Sequence, residues 1–248
     1  VVVPWRGGDP AREKAWAWLQ PWWGQHLPVV VGTPPEGPWC KAAAVADALA
    51  RTDAEVLVVA DADVWVPGID RTVDMVASGG VAWAMPHKRV YRLTEAGTDV
   101  LLATGRPPSP VRVDRPRGSA PTPPGQLIVE SHHGEIGGGC VVLPADLYRQ
   151  VPLDPRFVGW GQEDTSWGRA LTVIAGPPWR EPEPLWHLWH PPPRRAGKGE
   201  QPDPAQYTRR DRAVGTPAGL ALYRRYRDAT TPEAMRALLA EFAPNPPA

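Results

Sequence analysis

Val56-Leu57-Val58-Val59-Ala60-Asp61-Ala62-Asp63 is the stretch on which the fold turns. Five apolar residues in succession, without polar alternation, form the pattern of a short strand buried on both faces. The run ends on two carboxylates separated by one alanine. In an open α/β sheet ligands bind at the carboxyl ends of the strands. Asp61 and Asp63 therefore stand where hard oxygen ligands for Mg²⁺ or Mn²⁺ would neutralise a diphosphate. Taken alone, two strand-end aspartates serve equally well as loop or helix caps.

The flanking sequence supplies the rest of a βαβ series. Val1-Val2-Val3 reads as a short strand, and Asp9-Pro10 as the cap and first position of a helix continuing through Trp16, Leu19 and Trp22-Trp23. Leu27–Val31 reads as the second strand, 32–38 as a turn, and Lys41–Arg51 as the second helix. A helix over Ile69–Ala77 and a strand over Val81–Ala84 follow the Asp pair. Alternation of this kind predicts a parallel sheet with right-handed crossovers. Residues 103–126, rich in Pro, Gly, Arg and Ser, interrupt it as an irregular excursion of the sort that covers a site. Strands over Leu127–Glu130 and Gly139–Leu143 are expected next, with helices over Pro144–Gln150, Glu163–Val173, Pro217–Arg227 and Pro232–Phe242. The expected class is α/β: one Rossmann-like domain over 1–200, its central sheet mixed but mostly parallel and flanked by helices. A helical extension over 201–248 packs on the same domain.

Composition narrows the function. Lys+Arg and Asp+Glu both number 27, so no global charge draws the chain to nucleic acid or to a membrane. Residues 191–230 carry nine basic and four acidic side chains, a local +5 that suits either an anionic ligand or a solvated helix face. Cys40 and Cys140 alone make no disulfide framework, and two buried free thiols in a reducing cytoplasm are expected. No apolar run approaches the ~18 residues of a membrane span, and no signal-peptide pattern is visible. Hydrophobic residues make up 42% of the chain, which is ample for a core despite 33 prolines.

A second pair of carboxylates lies about a hundred positions after the first, in Phe157-Val158-Gly159-Trp160-Gly161-Gln162-Glu163-Asp164. Glu163 and Asp164 suit a helix N-terminus, which favours negative charge. One of them can also act as a base on a hydroxyl. Pro4-Trp5-Arg6 after the first strand, Asp61-Ala62-Asp63, Gly138-Gly139 opening a strand, and the Gly-Trp-Gly-x-Glu-Asp word occur in the order found in GT-A glycosyltransferases. The chain resembles the β-1,4-galactosyltransferase type over residues 1–190, with the polypeptide N-acetylgalactosaminyltransferases as cousins that share the last word.

That resemblance implies a GT-A fold and a set of roles. Pro4, Trp5 and Arg6 would line the nucleotide pocket together with Asp61 and Ala62. Asp61 would sit by the ribose and the metal's water shell, and Asp63 would ligate the metal. Gly138 and Gly139 would let the donor sugar approach the backbone. Trp160 would form a wall of the acceptor site, Glu163 would hold sugar hydroxyls, and Asp164 would be the base. In Leu185-Trp186-His187-Leu188-Trp189-His190, His190 matches a metal ligand of the family and His187 a second that is often Met. The Trp-rich flanks also suit core histidines. Arg194 and Lys198, in the loop that follows, would fold over the diphosphate. The implied reaction moves a sugar from a UDP-linked donor to an acceptor hydroxyl with inversion, assisted by Mn²⁺ or Mg²⁺. A glycan, a protein side chain and a phage DNA base all remain open as acceptor, as does the oligomeric state.

Other readings are weaker. A sugar-phosphate nucleotidyltransferase would share the sheet and the metal, but Gly7-Gly8 is a poor phosphate loop. A non-catalytic carbohydrate-binding protein would use the 13 tryptophans. A zinc site from His132, His133 and Cys140 is disfavoured because adjacent strand residues face opposite sides. His87-Lys88-Arg89 reads equally as a phosphate or acceptor contact and as a solvated turn.

Overall fold

A computed structural model describes residues 1–108, 126–134, 136–159, 161–191 and 216–242, and over 129–132 the backbone alone. The run 56–60 is strand β3 (Val56–Ala60), third in a six-stranded sheet of order β2-β1-β3-β8-β5-β9. Its neighbours are β1 (Val2–Pro4), parallel, and β8 (Cys140–Pro144), antiparallel; β2 (Val30–Gly32) lies parallel to β1. Beyond β8 come β5 (Ala84–Met85), antiparallel to it, and β9 (Trp179–Arg180), parallel to β5. The sheet is mixed, with β8 as its one antiparallel member among the described strands.

Alternation along β3 explains why both of its faces are apolar. Leu57 and Val59 enter one core with Val141 and Leu143 of β8, whereas Val58 and Ala60 enter the opposite core with Cys140 and Val142. Successive strand side chains point to opposite faces, so a strand covered on both sides must read as a continuous apolar run. The first core is roofed by α2 (Lys41–Leu49), α5 (Ala145–Gln150), α6 (Glu163–Ala175), α7 (Pro217–Asp228) and α8 (Pro232–Leu239). The second holds α1 (Pro10–His26) and α3 (Ile69–Ala77), with Leu101 from α4 (Glu95–Thr104). Helix α1 starts as its sequence dictates: Pro10 occupies the first turn and the Asp9 carboxylate accepts from Arg12 N at 2.9 Å.

Several sequence expectations shift in detail. Leu27 caps α1, donating its N–H to Trp23 O at 2.8 Å, so β2 begins only at Val30, the register partner of Val2. The strand expected over 81–84 shortens to β5, because Trp83 turns inward and donates its indole N–H to Gly176 O at 2.9 Å. Helix α4 lies in a stretch given no element by its sequence pattern; Thr94 caps it by accepting from Gly97 N. A second sheet, of order β4-β10-β6-β7, is a further addition: β4 (Val64–Trp65), β10 (Pro184–His187), β6 (Arg89–Leu93) and β7 (Ile128–His133). Most of the excursion read as a site cover, residues 109–125, lies outside the described residues. Among these, no helix is long and apolar enough to cross a membrane.

The C-terminal helices share the first core through Leu222, Tyr226, Met235, Leu238 and Leu239. A polar knot fastens them. Asp154, 4% exposed, accepts from Tyr226 Oη at 2.9 Å and pairs with Arg156 at 2.7 Å. Arg156 continues to Glu241 at 2.6 Å, which also holds Arg225. Removing Asp154 leaves the buried Tyr226 hydroxyl without this acceptor, whereas Arg156 is partly exposed and keeps Glu241. Asp154→Ala is therefore expected to destabilise the fold by about 1–3 kcal/mol in urea unfolding, while Arg225→Ala at the solvent-facing end should leave the midpoint nearly unchanged. Equal effects of the two substitutions would show that burial of Asp154 does not govern this junction.

Candidate metal and carboxylate site

Two backbone contacts shape the carboxyl end of β3. Asp61 N donates to Gly139 O at 2.9 Å, and Leu188 N donates to Asp63 O at 2.8 Å. The second belongs to the antiparallel pairing of β4 with β10, which sets His187 opposite Val64 and Trp186 opposite Trp65. A strand of two residues, directly after Asp63, thus brings a histidine from more than a hundred positions away to the Asp pair. The remainder of the motif then delivers His190.

Asp63, His187 and His190 form a cluster whose ligand atoms all lie within 4.8 Å of one another. His187 Nε2 stands 3.9 Å from Asp63 Oδ1, and His190 Nε2 stands 3.5 Å from Asp63 Oδ2. The other ring nitrogens identify the tautomers. His187 Nδ1 is 2.8 Å from Leu188 O, and His190 Nδ1 is 3.0 Å from Pro191 O. A carbonyl oxygen only accepts, so each Nδ1 carries a proton and each Nε2 is the ring atom turned toward the carboxylate. Backbone carbonyls that hold Nδ1–H in this way are the usual outer partners of metal-bound histidines.

Electrostatics agree with that assignment. Burial, then the Arg92 guanidinium, pushes the His187 imidazole down to about 3, which keeps it neutral. Arg92 is the register partner of His187 across β6. Burial opposes ionisation of Asp63, but the neighbouring His187, Arg12, His190 and Arg92 outweigh it and hold the carboxyl well below its ordinary range. With His187 neutral, the lasting cations are the two arginines. Arg12 Nε lies 3.3 Å from Asp63 Oδ2, an ion pair without hydrogen-bond alignment. One carboxylate and two imidazoles could hold a first-row divalent cation.

Asp61 is not in that cluster. Its Oδ1 accepts from Lys41 Nζ at 2.7 Å, and the same ammonium donates to Asp164 Oδ1 at 2.7 Å. Lys41 is 7% exposed. Burial alone would lower its pKa, but the charges of Asp164, Asp61 and Glu163 prevail and raise it, so it stays protonated. The neighbouring Glu163 carboxyl is pushed up to about 7, first by burial and then by the Asp164 charge. Its Oε2 accepts from Gly161 N at 2.8 Å. Gln162, with φ 71°, takes the left-handed turn that starts α6 and points both acids into its first turn.

Close backbone approaches seat that helix. A Cβ at Gly137 would fall 2.2 Å from Asp164 O, and one at Gly168 would fall 2.3 Å from Ile136 O, so the loop before β8 rests directly on α6. Gly139, one of the two glycines singled out by sequence, has φ 76° and leaves room for Leu185. Lys41, Gly137 and Gly168 carry no motif that marks them in the sequence. A lysine at a helix N-terminus, against the dipole, was the available signal for the first.

The other expected residues fall as follows. Pro4 ends β1, and Ala62 is buried between the two carboxylates. Trp5 packs on Trp16 at 6.0 Å between ring centroids and lies beneath Arg12 at 5.7 Å. Arg6 donates to Gly37 O at 2.6 Å and Pro35 O at 2.8 Å, so it braces the β2–α2 turn. Trp160, Arg194 and Lys198 lie outside the described residues. Both cysteines are free, as expected; burial pushes the Cys140 thiol well up. No protein-family model matches the chain, and no curated protein matches it either.

Proposed function

We infer that this chain is a metal-dependent glycosyltransferase of the GT-A type, moving a sugar from a nucleotide-diphosphate donor, UDP-linked in the first instance, to an acceptor hydroxyl. The observation that carries this reading is the convergence of Asp63, His187 and His190, with both Nε2 atoms turned inward, beside a strand end whose Asp61 is joined through Lys41 to Asp164. The sheet topology is compatible with it, and the order of the four sequence words supports it.

Asp63, His187 and His190 would hold the divalent cation, which when bound supplies a Lewis acid for the departing diphosphate. The residues of the chain account for the rest. Asp164, hydrogen-bonded to Lys41, accepts the proton of the acceptor hydroxyl. The acceptor oxygen forms its bond to the anomeric carbon as the bond from that carbon to the diphosphate oxygen breaks, and the electron pair leaves with the diphosphate. Attack from the face opposite the leaving group inverts the centre. Glu163, whose carboxyl titrates near neutrality, can donate or accept a hydrogen bond at a sugar hydroxyl.

Calorimetry tests the cation site. UDP should bind more tightly with Mn²⁺ than without it, and Asp63→Ala should abolish that difference while circular dichroism stays native. His190→Ala should weaken the coupling as well. UDP affinity indifferent to Mn²⁺ in all three proteins would return the histidines to the core. For the base, Asp164→Asn should lower transfer by about 10²–10⁴ with donor affinity retained, and near-wild-type transfer by the folded variant would remove Asp164 from that role.

Glu163 provides a pH test. Its carboxyl rises from 4.5 to about 7 on folding, so the native state binds the extra proton between those values. Stability from this group is complete below pH 4.5 and is lost as pH rises through 7. Glu163→Gln should flatten that part of the stability profile in urea titrations run across it. A slope unchanged by the substitution would refute the raised carboxyl.

A further inference from the structure

Lys41 differs from an ordinary helix-surface lysine. It is the first residue of α2, where the helix dipole disfavours a cation, yet it is 7% exposed and fully committed to two carboxylates. Those carboxylates come from the two halves of the site. Asp61 stands at the tip of β3, twenty positions on, and Asp164 in the first turn of α6, 123 positions on, each with Oδ1 at 2.7 Å. The backbone makes the same link, since Gly159 N donates to Trp39 O at 2.7 Å and brings the loop before α6 against the residues leading into α2. One ammonium therefore joins the strand that carries the cation-binding Asp63 to the helix that carries the acids.

We propose that Lys41 is a positioning residue, whose ammonium fixes the distance and orientation of the Asp164 carboxylate relative to the β3 edge and so sets the base against the donor. The proposal rests on the glycosyl-transfer reading for its chemistry but not for its geometry. The charged groups that the described residues place around Asp164 include Lys41 from α2, Asp61 from the β3 tip and Glu163 beside it on α6. Without Lys41, these three carboxylates lose the ammonium that lies between them, and like charges so placed resist ionising together. A lysine that merely glued two segments would also shift the Asp164 titration on removal, because the pair is coupled by charge, but it would leave turnover unchanged at a pH where Asp164 is ionised. A positioning lysine lowers turnover there as well.

The test compares wild type with Lys41→Met and Lys41→Arg. Carboxyl carbon resonances of labelled aspartate and glutamate, assigned through Asp164→Asn, are titrated by NMR without substrate. In Lys41→Met the Asp164 midpoint should rise by about one unit or more, and in Lys41→Arg it should stay near the wild-type value. Mn²⁺-dependent hydrolysis of UDP-glucose and UDP-galactose is followed in parallel. There Lys41→Met should lower turnover by about 10²-fold with KM little changed and shift the acid limb of the pH profile upward, and Lys41→Arg should restore most of the rate. An unmoved Asp164 midpoint in folded Lys41→Met overturns the proposal whatever the kinetics. Should Lys41→Met fail to fold, the double variant Lys41→Met/Asp61→Asn removes the surplus charge, and the same criterion applies to its Asp164 midpoint. A wild type that turns over no UDP-sugar would defeat the glycosyl-transfer reading, and an unmoved Asp164 midpoint would still overturn the role given to Lys41.

Discussion

Charges withdrawn from water at the end of an apolar strand constrain this structure more than any other feature. Asp63 is 5% exposed, and an isolated carboxylate in that position would cost several kcal/mol. It persists because the Arg12 guanidinium reaches it from α1 and Arg92 faces it from β6, while His187 and His190 close over it from β10 and its extension. Four segments must therefore meet at one point before the strand can end as it does. The short second sheet follows from this requirement. Its first strand has only two residues, yet its register with β10 decides which side chain stands beside Asp63.

A second compensated group, two residues away on the same strand, works in the opposite sense. At Asp63 a carboxylate is balanced by arginines and faces two imidazole Nε2 atoms, an arrangement that could hold a further positive charge. At Asp61 a single ammonium is shared between two carboxylates and no further cation is required. Side chains of β3 alternate in direction, but both acids follow its last residue, where the chain turns toward β4. Successive residues of a turn can address different neighbours, which is how one Asp-Ala-Asp word serves two electrostatic environments.

Much of the first layer was legible because it is local. The apolar run of β3, the Asp9-Pro10 start of α1 and the acids opening α6 each follow from a few adjacent residues. The pairing of Asp63 with His187 and His190 came instead from family likeness, since spacing alone left those histidines as readily in the core. Helix α4 was hidden by a weak apolar stripe: only Gly97, Thr98 and Leu101 are buried along it. The second sheet was hidden by strands too short to show a period; the stacking of Tyr91 on Trp186, 4.8 Å apart across β6 and β10, exists only once those strands are paired. Lys41 was hidden for a similar reason. Its partners lie far along the chain, and a lone lysine before an alanine-rich helix gives no sign of which carboxylates it will meet.

Helix α6 ties these layers together. Its first turn presents Glu163 and Asp164, its underside accepts the Gly137 loop against Gly168, and its middle is gripped by the C-terminal helices, with Arg169 donating to Tyr226 O at 2.8 Å and Arg227 O at 2.6 Å. Trp167 adds an indole hydrogen bond to Val151 O at 2.8 Å. A helix held at so many points along its length keeps its N-terminus in place, so the two acids differ through their surroundings rather than through motion. Asp164 contacts the Lys41 ammonium. Glu163, next to it, feels burial and the charge of Asp164 and is pushed toward protonation. Adjacent carboxyls driven apart in this way can take different parts in one reaction. The separation depends on Lys41 siding with one of them, and hence on where α2 begins.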